Sequence, residues 1–272
     1  MSKVYLKKIV SSITEKKYIE IDIDESFPYV DAIILTEANY THSGEKKEYV
    51  FESLIEKLKK NSKTKIIYIK LDLENDVYKN TNKEKELHFN EKLIRGKFVE
   101  YMSFDKTDII FSADADEIFF RNAYEDFIPK MKNKTKKAFF VRLNNFLYTP
   151  NNLWINSEFY APSIINFGYY WLKKINQWRY DGKRIDKAYG IHFNWHLTPE
   201  EIVIKLNTYA HKNLYSKYAD IELIRSAINN ADYPFDNREI IIKKVNFLND
   251  PEYFPVCINK HIDKFNYLIN LK

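Results

Sequence analysis

The sequence predicts an α/β fold, a single domain on a mostly parallel central sheet flanked by helices. Three observations predict it. Short β-branched runs alternate with stretches of helical apolar spacing through the first half of the chain. Hydrophobic residues make up 45% of the 272 positions, enough for a sizeable core. A cluster of three acids begins where the third β-branched run ends, and ligands of parallel sheets bind at such carboxyl ends.

The elements follow in order. "VDAIILTE" (Val30–Glu37) reads as a buried strand and "EYVFESLIEKLKK" (Glu48–Lys60) as a helix. "KIIYIKLDL" (Lys65–Leu73) is a second strand, and "KELHFNEKLIRGKFVEYM" (Lys85–Met102) a second helix. "TDIIFSA" (Thr107–Ala113) is a third strand. After the helix "NAYEDFIPKMKN" the pattern loosens, and "KKAFFVRLNNFLYT" and "EFYAPSIINF" read as strands of a mixed region. Thr198 to Lys212 form a well-marked helix, with Thr198 as N-cap, Pro199 at its first position and Glu201 at its third. The remainder reads as short helices and loops around the same core.

Composition excludes several classes. The net charge of +5 is well mixed, and no basic module for nucleic acid occurs. The basic stretches around Lys57–Lys65 and Lys130–Lys137 read as solvated helix ends, with peripheral membrane contact the remaining use of a positive balance. The single cysteine, Cys257, permits neither an intramolecular disulfide nor a thiolate zinc site. No stretch reaches the ~20 apolar residues of a membrane span, and no signal-peptide core opens the sequence, so a cytoplasmic location is expected. The 21 Tyr, 19 Phe and 4 Trp suit a cleft that stacks rings, although a coding bias toward such residues gives the same count.

The acid cluster lies in "FSADADEIFF". A strand running into Asp-Ala-Asp sends Asp114 and Asp116 to the same side, with Ala115 leaving room between them. Two carboxylates aimed at one point suit Mg²⁺ or Mn²⁺, and such a metal suits a nucleotide diphosphate. Acids in a first helical turn give the same letters without a metal. Two enzyme classes use the pattern: phosphatases of the haloacid dehalogenase type, with Asp114 as nucleophile, and nucleotide-sugar transferases.

Four blocks separate them: "VDAIILTEANYTHSGEKKEYVF" (Val30–Phe51), "DIIFSADADEI" (Asp108–Ile118), "YGIHFNWHLTPEEIVIKL" (Tyr189–Leu206) and "YFPVCINKHIDKFNYLI" (Tyr253–Ile269). In this order they resemble glycosyltransferase family 17, the group containing β-1,4-mannosyl-glycoprotein 4-β-N-acetylglucosaminyltransferase. Residues 1–29 stand outside the resemblance. Phe119 takes the place of the family's usual Pro, and Ile191 that of its Trp, so acceptor specificity does not carry over.

The resemblance implies a GT-A-like domain with a nucleotide-binding half (30–120) and an acceptor-side half (121–272). It implies a metal-dependent, inverting transfer of a sugar, most plausibly GlcNAc from UDP-GlcNAc, onto a glycan hydroxyl. Asp114, Asp116 and His192 are then the expected metal ligands, with Asp114 also reaching the nucleotide. Glu37, Asn39 and Asp72 are expected around uridine, and Arg95 and Lys205 near the diphosphate. Thr41, His42 and Ser43 are weaker candidates for the same site. Glu117 and Asp236 are the candidate bases. His196 would share the face of His192 if that strand persists, while His211 and His261 read as structural. A transferase-like protein that only binds glycans, through Trp154, Trp171, Trp178 and Trp195, would not need the acid pair, which is intact.

Overall fold

The computed structural model describes residues 2–173, 178–209, 211–236 and 238–265. Its frame is one sheet of ten strands: β1 (Val4–Ile9), β2 (Ala32–Ala38), β3 (Lys65–Leu71), β4 (Ile109–Asp114), β5 (Glu117–Phe119), β6 (Ala138–Leu147), β7 (Asn152–Trp154), β8 (Tyr160–Asn166), β9 (Lys183–Asn194) and β10 (Ile242–Lys244). The order along the main path is β10-β7-β6-β8-β4-β1-β2-β3, and β9 joins β6 to β5. Strands β3, β2, β1 and β4 run parallel. Beyond β4 the neighbours are antiparallel, except for the long parallel pairing of β6 with β9. The expected α/β sheet is therefore present, with its parallel part concentrated in the first 114 residues.

Both faces of the parallel part are covered. Leu6, Leu35 and Phe111 join one apolar cluster, and Tyr5, Ile34 and Ile110 the other. Strand periodicity sends neighbouring residues to opposite faces, which is why these runs carry no polar side to read. The helices are α1 (Lys16–Ser26), α2 (Glu52–Asn61), α3 (Glu84–Gly96), α4 (Arg121–Met131), α5 (Phe167–Lys173), α6 (Pro199–Thr208), α7 (Lys212–Tyr215) and α8 (Ile221–Asn230). α6 starts at the expected capping box, with Thr198 accepting from the Glu201 amide and Glu201 from the Thr198 amide. Its apolar side meets α8 over Trp195, through Ile202, Leu206, Ile224 and Ile228. The tail block 266–269 lies outside the described residues.

Residues 2–29 supply the central strand β1 and helix α1. β1 carries two lysines, Lys7 and Lys8, both 0% exposed. Alternation sends them to opposite faces. Lys7 Nζ donates to the Arg95 carbonyl at 3.1 Å, near the C-terminal end of α3, where a cation is favoured. Lys8 donates to the Glu117 carbonyl, and its Nζ lies 2.9 Å from Asp22 Oδ2 on α1.

Asp22 sets a pH signature. Burial pushes its carboxyl up from 3.8 to about 7, against the pull of Lys8. The folded state therefore holds this proton more tightly than the unfolded chain. That preference stabilises the fold below pH about 4 and is lost as pH rises through about 7. Compared with Asp22→Asn, the parent's melting temperature should fall between those limits. Parallel curves for the two proteins would show that Asp22 titrates normally.

No helix among the described residues is long and apolar enough to cross a membrane.

Candidate functional site

A cleft of about 300 Å³ opens at the carboxyl ends of β1, β2 and β4. Ser11 and Ser12 follow β1, Ala38 and Tyr40 close β2, and Asp114 closes β4. α6 forms the opposite wall through Ile204 and Lys205. Glu15, after β1, accepts from the Ser11 and Ser12 amides at 2.6 and 3.1 Å and so fixes that loop. Burial raises its carboxyl to about 7, and the charge of Asp116 adds to the rise.

β4 ends at Asp114, and residues 115 and 116 turn before β5 begins, with Asp114 and Asp116 both on the wall of the cleft. The Asp114 carboxylate is held by two guanidiniums. Arg95 donates to it at 3.3 Å through Nε and at 2.8 Å through Nη2, and Arg179 adds a third contact. Burial alone would raise the Asp114 pKa, but Arg179 and Arg95 hold it well below 3.8. A carboxylate spent on two guanidiniums is not a free phosphatase nucleophile.

Glu117 faces the same network. Its Oε1 lies 2.7 Å from Arg179 Nη2, and its Oε2 accepts the Asp114 amide at 2.9 Å. Burial raises its pKa even with Arg179 opposing. Arg179 thus bridges two carboxylates. Nothing in its own segment, "WRYDGKR", marks it as a site residue, since it arrives from a loop 62 residues beyond Glu117.

Pairing of β5 with β9 sets Glu117 opposite His192. The approach requires Gly190, where a Cβ would come within 2.2 Å of the Ile118 carbonyl. Phe159 stacks on the His192 ring with centroids 4.0 Å apart. One ligand atom from each of Asp116, Glu117 and His192 falls within 4.8 Å of the others. Two carboxylate oxygens and an imidazole nitrogen form a donor set that suits Mn²⁺ or Mg²⁺. His192 Nδ1 is buried without a hydrogen-bond partner among the described residues, as a group awaiting a ligand would be. Burial lowers the His192 pKa to about 4, which keeps the ring neutral.

The remaining expected residues divide. Lys205 lines the cleft, with Nζ 3.5 Å from Asp116 Oδ2 and over the Trp195 ring. Arg95 lines it too, but its guanidinium is engaged by Asp114 and Glu91. Glu37 does not line it. Its carboxylate takes Lys47 Nζ at 2.9 Å, the Val50 and Phe51 amides at 2.8 and 3.0 Å, and the Tyr68 hydroxyl at 2.6 Å. Those donors delay α2 to Glu52 and steady Lys47, which does reach the cleft. Asn39 and Asp72 bond each other at 2.9 Å and tie the ends of β2 and β3 together, also off the cleft wall.

His196 leaves the face of His192, because β9 ends at Asn194 and Trp195 takes a left-handed φ of 54°. Its backbone carbonyl is held by α1, through Tyr18 and Lys17 at 3.0 and 3.2 Å. Asp236 sits elsewhere, in a second cavity of about 720 Å³ that His192 and Tyr209 also line. Tyr209 is shared between cleft and cavity. Arg238 grips both Asp236 oxygens and lowers its pKa.

The family profile described as Glycosyltransferase family 17 matches residues 2–250, a span that includes β1 and α1. No curated protein matches the sequence. Among solved structures, the chain is similar to S. aureus TarS 1-349, with TM-score 0.41 and 11% identity over 84% of this chain and 71% of that one. S. aureus TarS 1-349 in complex with UDP-GlcNAc gives TM-score 0.39 and 12% identity over 100% and 81%. Mouse xyloside xylosyltransferase 1, apo form, gives TM-score 0.34 and 10% identity over 61% and 68%.

Proposed function

Because the chain belongs to glycosyltransferase family 17, we propose that it is a metal-dependent inverting transferase that moves GlcNAc from UDP-GlcNAc onto a glycan hydroxyl. One observation carries the reading. The Asp116, Glu117 and His192 cluster stands between two concavities, with Asp116 on the wall of the cleft and His192 on the wall of the cavity. A transferase needs such a meeting point between donor and acceptor.

The nucleotide occupies the cleft at the strand ends, where parallel sheets bind such ligands. Asp116, Glu117 and His192 would hold Mn²⁺ or Mg²⁺. Such a cation would supply positive charge against the departing diphosphate. Lys205 and Lys47 supply further positive charge on the cleft wall. Arg95 and Arg179 act less directly, by fixing Asp114 and with it the turn that carries Asp116.

The acceptor enters from the cavity. Its hydroxyl oxygen bonds to the anomeric carbon from the face opposite the leaving group. The bond from that carbon to the phosphate oxygen breaks, and UDP departs with the electron pair. Attack from the opposite face inverts the centre and gives a β-linkage. Asp236 receives the hydroxyl proton, because it lines the cavity and Glu117 does not.

Hydrolysis and transfer assays over a panel of nucleotide sugars, with Mn²⁺ and with chelator, test this. UDP-GlcNAc should be consumed only with metal. Asp236→Asn should lose transfer by about 100-fold or more, in the range of a removed general base, with UDP affinity unchanged. Metal-independent turnover, or a UDP-binding defect in Asp236→Asn, would overturn the respective assignment.

A further inference from the structure

The cavity beyond His192 carries information about the acceptor. The half-buried rings of Phe159, Tyr209, Tyr215 and Tyr233 line it, and such faces pack well against the C–H faces of sugar rings. Neutral polar groups sit among them. Asn145 gives Nδ2 to the Ser157 hydroxyl at 2.8 Å, and the residue is 3% exposed. Its Oδ1 is buried without a hydrogen-bond partner among the described residues. A ligand hydroxyl is the donor this oxygen lacks.

The ionised groups are lopsided. Glu158, Asp236 and Glu239 line the cavity, and Arg238 is the one lysine or arginine among the described lining residues. Arg238 is spent on Asp236, with Nε 2.7 and 2.9 Å from its two oxygens. Glu158 leans toward Arg184 at 3.6 Å, but that guanidinium lies closer to Asp186, at 2.8 Å. The wall is thus acidic in balance, and an anionic group entering it meets like charge.

We propose that this cavity accepts an uncharged glycan and rejects acceptors bearing phosphate or carboxylate, which rests on the transferase reading and names the acceptor class for it. Stacking rings and the Asn145 carbonyl supply the attraction. The unbalanced carboxylates supply the discrimination, as a repulsive element against the wrong ligand.

A glycan array tests the proposal. It carries neutral hexose and N-acetylhexosamine oligosaccharides beside sialylated and phosphorylated counterparts, and is probed with labelled protein in the presence of UDP and Mn²⁺. Neutral glycans should bind about tenfold or more tightly than their acidic counterparts, with the gap narrowing as salt rises. The double variant Glu158→Lys/Glu239→Lys should shift that ratio toward the acidic glycans by about tenfold, with the melting temperature as in the parent. Both side chains are exposed, so the fold is retained. A parent preference for acidic glycans overturns the proposal. So does a double variant with the parent's selectivity, or a parent that binds UDP and no glycan. Neutral selectivity in a parent that hydrolyses no nucleotide sugar supports the charge selection and overturns the transferase reading instead.

Discussion

Asp116→Asn should abolish Mn²⁺-dependent UDP binding while leaving the fold intact. The residue sits in the turn between β4 and β5, on the cleft wall and not in an apolar cluster. Asparagine keeps its size and one oxygen but removes the charge that a hard cation requires. The other members of the cluster, Glu117 and His192, remain. Loss of a ligand should weaken the metal at least as much as loss of a supporting group does, about 10–100-fold. Transfer should fall in step. Calorimetric titration of UDP with and without Mn²⁺ checks this, beside a melting curve. Parent-like binding with metal would remove Asp116 from the ligand set, and a collapsed melting temperature would give the residue a structural role.

Arg179→Ala should be the most destabilising single change near the site. Arg179 is the guanidinium that joins Asp114 to Glu117, and its side chain is 13% exposed. Its removal leaves Glu117, already pushed up by burial, with no guanidinium partner among the described residues, and leaves Asp114 to Arg95 alone. Breaking a buried ion pair from one side costs about 3–5 kcal/mol. Both contacts run through the single nitrogen Nη2, a bridging role that one ammonium also fills, so Arg179→Lys should recover part of the loss. Urea unfolding of both variants, with Asp114→Asn as the second arm of a double-mutant cycle, measures the coupling. A loss below about 1 kcal/mol would mark Arg179 as a surface pair.

Much of the fold was legible because its signals are local. β2, β3 and β4 are apolar runs, and the capping box marks α6 from four residues. β1 was not legible, because Lys7 and Lys8 break its apolar run. Lysines are rarely buried, and the partners that permit it come from α1, α3 and the acid loop, far away in sequence. The acid cluster was recognisable, but its internal geometry was not. Asp114 and Asp116 both reach the cleft wall, but through a turn at 115–116 rather than a continued strand. Glu37 kept its prominence for a different reason, since its four donors come from a loop and a neighbouring strand that periodicity does not describe. The opposition of Glu117 and His192 depends on β5–β9 pairing across more than seventy residues, which no local pattern encodes.

The position of β1 also bears on how the chain is made. Its middle place in the sheet requires β2 on one side and β4 on the other, and Val4 pairs with Ile109. On the ribosome this strand emerges roughly a hundred residues before the second of those neighbours, a wait of roughly 5–20 s at ordinary synthesis rates. An apolar strand with a bare edge for that long is a template for other nascent chains. Two adjacent lysines, one on each face, make it a poor template, because each would have to be desolvated without its acid or carbonyl partner. The same charges that β1 buries at the end of folding therefore guard it from aggregation at the beginning.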